Sequence, residues 1–213
     1  MKIRFVVLMI FWGQILFGQS FTIKIEKNDF FYRNIENPVS FIKNPSDSLG
    51  SMSVTVNDGR IKTNGEGHFI IIPKPDSKNI ILTAAAKNNH GKAKSDRFEI
   101  EVKDVPQPMT FVNQQTELKI DKSELENLKF EALIPDFDYR LSFEITDFEL
   151  IIPKKKPIRN QGNQFSLEVL KELNKLKSGR RIIIRNIRIV AVEGYYSEYK
   201  NFESANQIVI ELK

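Results

Sequence analysis

From Phe21 onward the apolar side chains recur at every second position. That period fits half-buried β-strands and excludes amphipathic helices over most of the first hundred residues. Phe21, Ile23 and Ile25 alternate in this way, as do Val54 and Val56, then Ile80, Leu82, Ala84 and Ala86, then Phe98, Ile100 and Val102. Between these runs stand Asn57-Asp58-Gly59, Asn64-Gly65-Glu66-Gly67 and Asn88-Asn89-His90-Gly91. Their Gly and Asn residues accept positive φ at little steric cost. Asp58-Gly59 is the strongest hairpin signal. Short strands at this spacing predict an immunoglobulin-like β-sandwich with no helix before residue 120.

The pattern changes after Lys103-Asp104-Val105-Pro106-Gln107-Pro108. Its two prolines cannot donate to a sheet ladder, so a domain boundary is placed here, with a β-sandwich domain over 19–105 and an α+β domain over 106–213. Asp121 with Glu124 three residues on reads as a capped helix start ahead of Leu125 and Leu128. Leu141, Phe143 and Ile145 occupy odd positions, and Phe148, Leu150 and Ile152 even ones. Either a β-bulge near Thr146-Asp147 or two separate strands produces such a switch. A second helix is predicted from the cap Ser166 to the stop Gly179, with Leu167, Leu170, Leu173 and Leu176 spaced by threes and Val169 four before Leu173 forming one packing face, and Phe165 and Leu170 as a hydrophobic staple. A long strand over Arg181 to Val192 and another through Ile208, Ile210 and Leu212 complete a mainly β chain with two short helices.

At the start, Lys2 and Arg4 precede the 13-residue apolar run Phe5 to Phe17, followed by Gly18-Gln19-Ser20. The run is short of the ~20 residues that cross a bilayer, and Gln14 interrupts it. These features predict a signal peptide over 1–18, with an uncleaved anchor as the alternative. The mature chain is then expected outside the cytoplasm, in the periplasm, at the outer-membrane periphery or secreted, with no transmembrane span. Its formal charge falls from +5 to +3, too little to favour nucleic acid as a partner. With 16 Phe and no Cys, stability must come from apolar cores and not from disulfides.

Little in the chain resembles catalytic machinery. The two His, at 68 and 90, lack further ligands at metal spacing, and no phosphate or dinucleotide loop and no nucleophile elbow is present. Asp136 and Asp138, with Glu144 and Asp147 further on, are the best carboxylate group. They are either a hydrolase pair or, more simply, acids that solvate a strand edge. The expectation is a non-enzymatic protein with no cofactor and no metal. Two runs are candidate partner-binding sites. Lys154, Lys155 and Lys156 stand between Pro153 and Pro157, with Arg180, Arg181, Arg185 and Arg188 adding charge nearby. They fit either an acidic partner or a solvated loop that blunts a sheet edge. Tyr195, Tyr196, Tyr199 and Phe202 either present an aromatic contact surface or pack on the sheet.

Four segments in order resemble a known family. Tyr32-Arg33-Asn34-Ile35-Glu36-Asn37-Pro38-Val39-Ser40 resembles its Tyr-x-Gly-Val-x-Asn-Pro-Ile pattern, and Lys103 to Pro108 resembles the exit from the same domain. Asp136-Phe137-Asp138-Tyr139 resembles an Asp-Phe-Asp-Phe stretch in its last domain, and Asn163-Gln164-Phe165 through Leu176 to Ile182 resembles the helix and strand that follow. The family is that of the gliding-motility and type IX secretion protein GldM (PorM), and the likeness spans about residues 20 to 213, its third and fourth periplasmic domains. Asn34 stands where the family has Gly, and Asn is the next most tolerant residue of positive φ. The resemblance implies a periplasmic dimeric shaft whose terminal domains meet an outer-membrane ring, and so an envelope protein partner and a homodimer. The family's membrane helix and two earlier domains are not matched here, so its proton-driven motor role is not implied. The competing expectation is a secreted adhesin or glycan-binding β-domain that uses the Tyr195 to Phe202 aromatics.

Overall fold

A computed structural model describes residues 19–196 and 201–213. The expected signal peptide and Tyr199 lie outside the described residues. The first domain contains β1 (Phe21–Ile25), β2 (Phe31–Tyr32), β3 (Asn37–Lys43), β4 (Leu49–Val56), β5 (Gly59–Thr63), β6 (His68–Pro73), β7 (Asn79–Asn88) and β8 (Ala93–Lys103). One sheet runs β1-β3-β6-β5 and the other β2-β8-β7-β4. The period-two residues of both sheets face inward, and Phe21, Phe31, Val39, Ile71, Ile80, Leu82 and Ala84 are fully buried between them. This is the β-sandwich that the alternation predicts.

Asp58-Gly59 does not close a hairpin. β4 pairs with β7 and β5 with β6, so the chain changes sheets at this point. Asn57 and Asp58 fix the crossing through side chains: Asn57 Oδ1 accepts the Ile81 N–H at 2.7 Å, and Asp58 accepts from Lys74 Nζ at 2.8 Å and from Ser77 Oγ. A Cβ on Gly59 would sit 2.7 Å from the Ile72 carbonyl oxygen, so the glycine serves close backbone approach. The true hairpins are the other two turns, between β5 and β6 and between β7 and β8. One short 3₁₀ turn, Pro45–Asp47, interrupts the helix-free stretch expected before residue 120, capped by Asn44.

The second domain contains β9 (Met109–Val112), β10 (Glu117–Ile120), β11 (Phe130–Leu133), β12 (Ser142–Ile151), β13 (Ile158–Gln161), α1 (Leu167–Asn174), β14 (Arg181–Glu193), β15 (Asn201–Glu203) and β16 (Ile208–Leu212). Its main sheet runs β10-β16-β14-β12-β13, with β15 also on β14, and β9 and β11 form a separate ribbon. β12 is one strand whose register on β14 shifts between Ile145 and Asp147, so a bulge produces the parity switch. The helix expected after Asp121 is a 3₁₀ helix, Lys122–Asn127, whose start is tied by the Asp121 N–H to Glu124 Oε1 at 2.8 Å. In α1, Ser166 Oγ caps the Val169 N–H, and Val169 and Leu173, four apart, are the buried pair. Leu167 departs from the expected face and is 77% exposed, because two positions before Val169 is about 200° around the helix. α1 also ends before Gly179, whose φ of +76° turns the chain into β14 while its N–H bonds the Leu212 carbonyl at 2.7 Å. Phe130, Phe148 and Phe165 meet edge to face or tilted at the centre of this second core.

Candidate interaction site

The candidate residues fall into two groups at opposite ends of the second domain. Tyr195, Tyr196 and Phe202 lie where β12 begins opposite Glu193, whereas Lys154 to Lys156 follow its other end. Ten residues of strand separate the ends by about 30 Å.

At the first end the two domains meet. Asn34 has φ +60°, the conformation for which Asn substitutes for Gly, and is buried. Its carbonyl accepts the Tyr196 N–H at 2.7 Å, and its Nδ2 donates to the Tyr195 hydroxyl at 3.3 Å. The Tyr196 hydroxyl donates to Glu36 Oε1 at 2.6 Å, and Lys62 Nζ reaches the same oxygen at 2.8 Å. Arg60 and Lys62 lie 5.1 and 5.0 Å from the centre of the Tyr196 ring, close enough for cation–π attraction. The bonds from Lys62 and Tyr196 hold the Glu36 carboxyl below the usual range, and the neighbouring Glu36 carboxylate raises the Tyr196 hydroxyl. Behind them Tyr195 packs on Phe202 and Phe202 on Phe143, anchoring the tyrosines to the second core.

A second contact lies beside the first. Tyr32 packs against Phe137 at 5.1 Å and Tyr139 at 5.3 Å, the Asn28 Nδ2 donates to the Tyr139 hydroxyl at 2.9 Å, and Lys27 lies 3.5 Å from Asp138 and over the Tyr139 ring. Burial raises the Tyr139 hydroxyl pKa. Asn37 fixes the loop that presents Tyr32 and Asn34. It is fully buried, its Nδ2 donating to the Tyr32, Ile35 and Ile71 carbonyls and its Oδ1 accepting the Tyr32 N–H. Gly194, at φ +79°, lies so close to the Arg140 carbonyl that a Cβ has no room there.

Two of the four segments that carry the family resemblance, Tyr32 to Ser40 and Asp136 to Tyr139, are thus the facing halves of this joint. Sequence reasoning listed the tyrosines but not their partners Asn28, Asn34 and Glu36. The positive-φ requirement at Asn34 was the available signal for one of these.

At the other end, Lys155 and Lys175 both bond Glu172, at 2.8 Å and through a shorter contact, and together hold its carboxyl down to about 2. Lys154 and Lys156 are exposed on either side of Lys155. The carboxylates do not converge: Asp136 and Asp138 line one depression, Glu144 a second and Asp147 a third. Asp147 is buried and held by Arg159, whose Nε and a terminal nitrogen lie 3.1 and 2.9 Å from Oδ1. Among the described residues no three His, Asp or Glu side chains group as metal ligands, and no helix is long and apolar enough to cross a membrane.

These features define a tandem module, a β-sandwich and an α+β domain joined through polar aromatic contacts. A family model described as the GldM third domain matches residues 20–103, and one described as the GldM C-terminal domain matches residues 97–213. The chain belongs to the GldM family, carrying its third and C-terminal domains. No curated protein matches it. Among solved structures, it is similar to the fibronectin(III)-like modules of Clostridium thermocellum CbhA, at 13% identity and a TM-score of 0.31, covering 90% of this chain and 94% of that one. The Ig1-2 module of the Drosophila receptor protein tyrosine phosphatase DLAR aligns at 10% identity and a TM-score of 0.28, over 92% and 100% of the two chains.

Proposed function

We propose that this chain is an exported, non-enzymatic structural and interaction module of the bacterial envelope. It holds its C-terminal domain at a fixed angle and presents it to an envelope protein partner, in the periplasm or at the outer-membrane periphery. The observation that carries this reading is the joint. Two of the four segments by which the chain resembles GldM face each other across it, Tyr32 to Ser40 and Asp136 to Tyr139, and this supports a role in which the relative placement of the two domains matters. Asn34, Glu36, Tyr195 and Tyr196 serve that placement. Outer-membrane ring components of the type IX secretion and gliding machinery are the partners this reading names, with a homodimer as the working unit. Light scattering on the mature chain reads the second point.

Copurification of the tagged mature protein from envelope extracts tests the first. Recovery of a ring component supports the reading. It is overturned if no envelope protein is recovered where full-length GldM brings down its ring. The adhesin reading has no comparable support, because the Tyr195 and Tyr196 side chains are engaged with the first domain.

A further inference from the structure

The second domain is close to neutral, with 17 basic and 16 acidic side chains over residues 106–213, yet its charge is segregated. Between residues 152 and 181 nine Lys and Arg stand against Glu168 and Glu172 alone. The fold gathers most of these cations at one tip, remote from the joint. Lys155 reaches Glu172 on α1, Lys122 Nζ donates to the Asn174 carbonyl at 3.3 Å, and Ser178 Oγ donates to the Lys213 carbonyl at 2.6 Å. The turn after β12, the end of α1 and the end of β16 therefore form one surface.

Two of the acids on the elements of this tip are already in use. Glu172 is shared by Lys155 and Lys175, and Asp121 lies 3.9 Å from Lys213 Nζ. Lys154, Lys156, Lys177 and Arg180 are exposed and have no ion-pair partner among the described residues. The turn that carries two of them is constrained: Pro153 and Pro157 flank it, Lys154 has φ +67°, and the Lys155 N–H bonds the Ile152 carbonyl at 3.0 Å. A held set of like charges repels itself, and an anionic partner relieves that repulsion.

The geometry points to an acidic protein segment, rich in Asp and Glu, as the ligand of this cationic tip. The inference rests on the reading of the chain as an envelope interaction module and names the face it uses. A membrane surface fits less well, because peripheral binding adds apolar insertion to charge. Of the exposed large apolar side chains among the described residues, Ile42, Leu133, Leu167, Val192 and Tyr196, Leu167 alone stands on α1, at the start of the helix whose end joins the tip, and a single side chain supplies little insertion. Lysines predominate here, and these point charges on flexible stems suit an array of carboxylates better than one bidentate site.

Fluorescence anisotropy with a labelled poly-L-glutamate 20-mer, using the mature chain in about 50 mM salt, tests the inference. The triple variant Lys154→Glu, Lys156→Glu, Lys177→Glu is expected to weaken binding about tenfold or more. The control Lys78→Glu, Lys87→Glu, Lys92→Glu changes net charge equally on exposed first-domain sites and is expected to weaken it less than about twofold. Thermal melts confirm that both variants are folded. Equal losses in both, or no binding by the unaltered chain, overturn the inference. Phosphatidylglycerol vesicles that bind through the tip where poly-glutamate does not also overturn it, in favour of lipid. If the tip variant still copurifies its envelope partner as well as the unaltered chain, the tip assignment fails and the module reading stands. If the unaltered chain recovers no envelope protein, the module reading itself fails.

Discussion

The joint and the cationic tip look alike in the sequence: each is a short run dense in one kind of side chain, and each reads equally well as a contact surface or as packing. The fold treats them oppositely. At the joint, the Tyr196 hydroxyl, the Glu36 carboxylate and the Lys62 ammonium satisfy one another across the two domains, and Asn34 is engaged through both backbone and side chain. At the tip, two acids are each claimed by lysines, and further cations are left over. A run whose polar groups find partners within the chain is structure. A run whose charges do not is surface available to another molecule.

Several changes break this contrast, in decreasing order of effect. Gly194→Ala places a Cβ against the Arg140 carbonyl at a positive φ and should cost about 2 kcal/mol or more. Urea unfolding should then split into two transitions as the domains separate. Tyr196→Ala removes a charge-assisted hydrogen bond and the cation–π contacts, and should cost about 1–2 kcal/mol, read from the same unfolding curve. Tyr196→Phe should lose less, since the ring and its backbone bond to Asn34 remain. Lys154→Ala with Lys156→Ala should change stability by less than about 0.5 kcal/mol, because both side chains are exposed and neither has a partner among the described residues.

Acid sharpens the comparison. The carboxyl of Glu36 is depressed in the folded chain by Lys62 and Tyr196, so its contribution is complete above the usual glutamate value of 4.5 and is lost as pH falls through the lower folded value. Acid titration should therefore weaken the joint, and Glu36→Gln should remove most of that dependence. A joint whose strength does not change across this range, monitored by the Tyr196 ring resonances, would contradict the assignment of Glu36 as its charged centre.

Much of the fold was legible because period-two alternation and the cap at Ser166 are local signals. The bulge at Ile145 to Asp147 was legible for the same reason, as a change of parity. Asp58-Gly59 misled because turn residues state where the chain bends but not which sheet it joins next, and here Val54 and Ile61, half-buried against the same core, stand on strands of different sheets. Leu167 misled because spacing by threes drifts around a 3.6-residue helix, and Val169 with Leu173 took the inner face. At the site, the tyrosines and lysines stood out by composition. Their partners did not, since Asn28 and Tyr139 are 111 residues apart and nothing local marks the pairing. Two of the resemblance segments coincide with the joint, but no local pattern in either marks it as a contact between domains.

The central claim is that residues 19–213 behave as one body because the two family segments and Tyr195-Tyr196 hold the domains at a fixed angle. Residual dipolar couplings measured on residues 19–213 test it most directly. One alignment tensor should fit the backbone couplings of both domains, and Gly194→Ala should require two. Two tensors of different magnitude for the unaltered chain would contradict the claim.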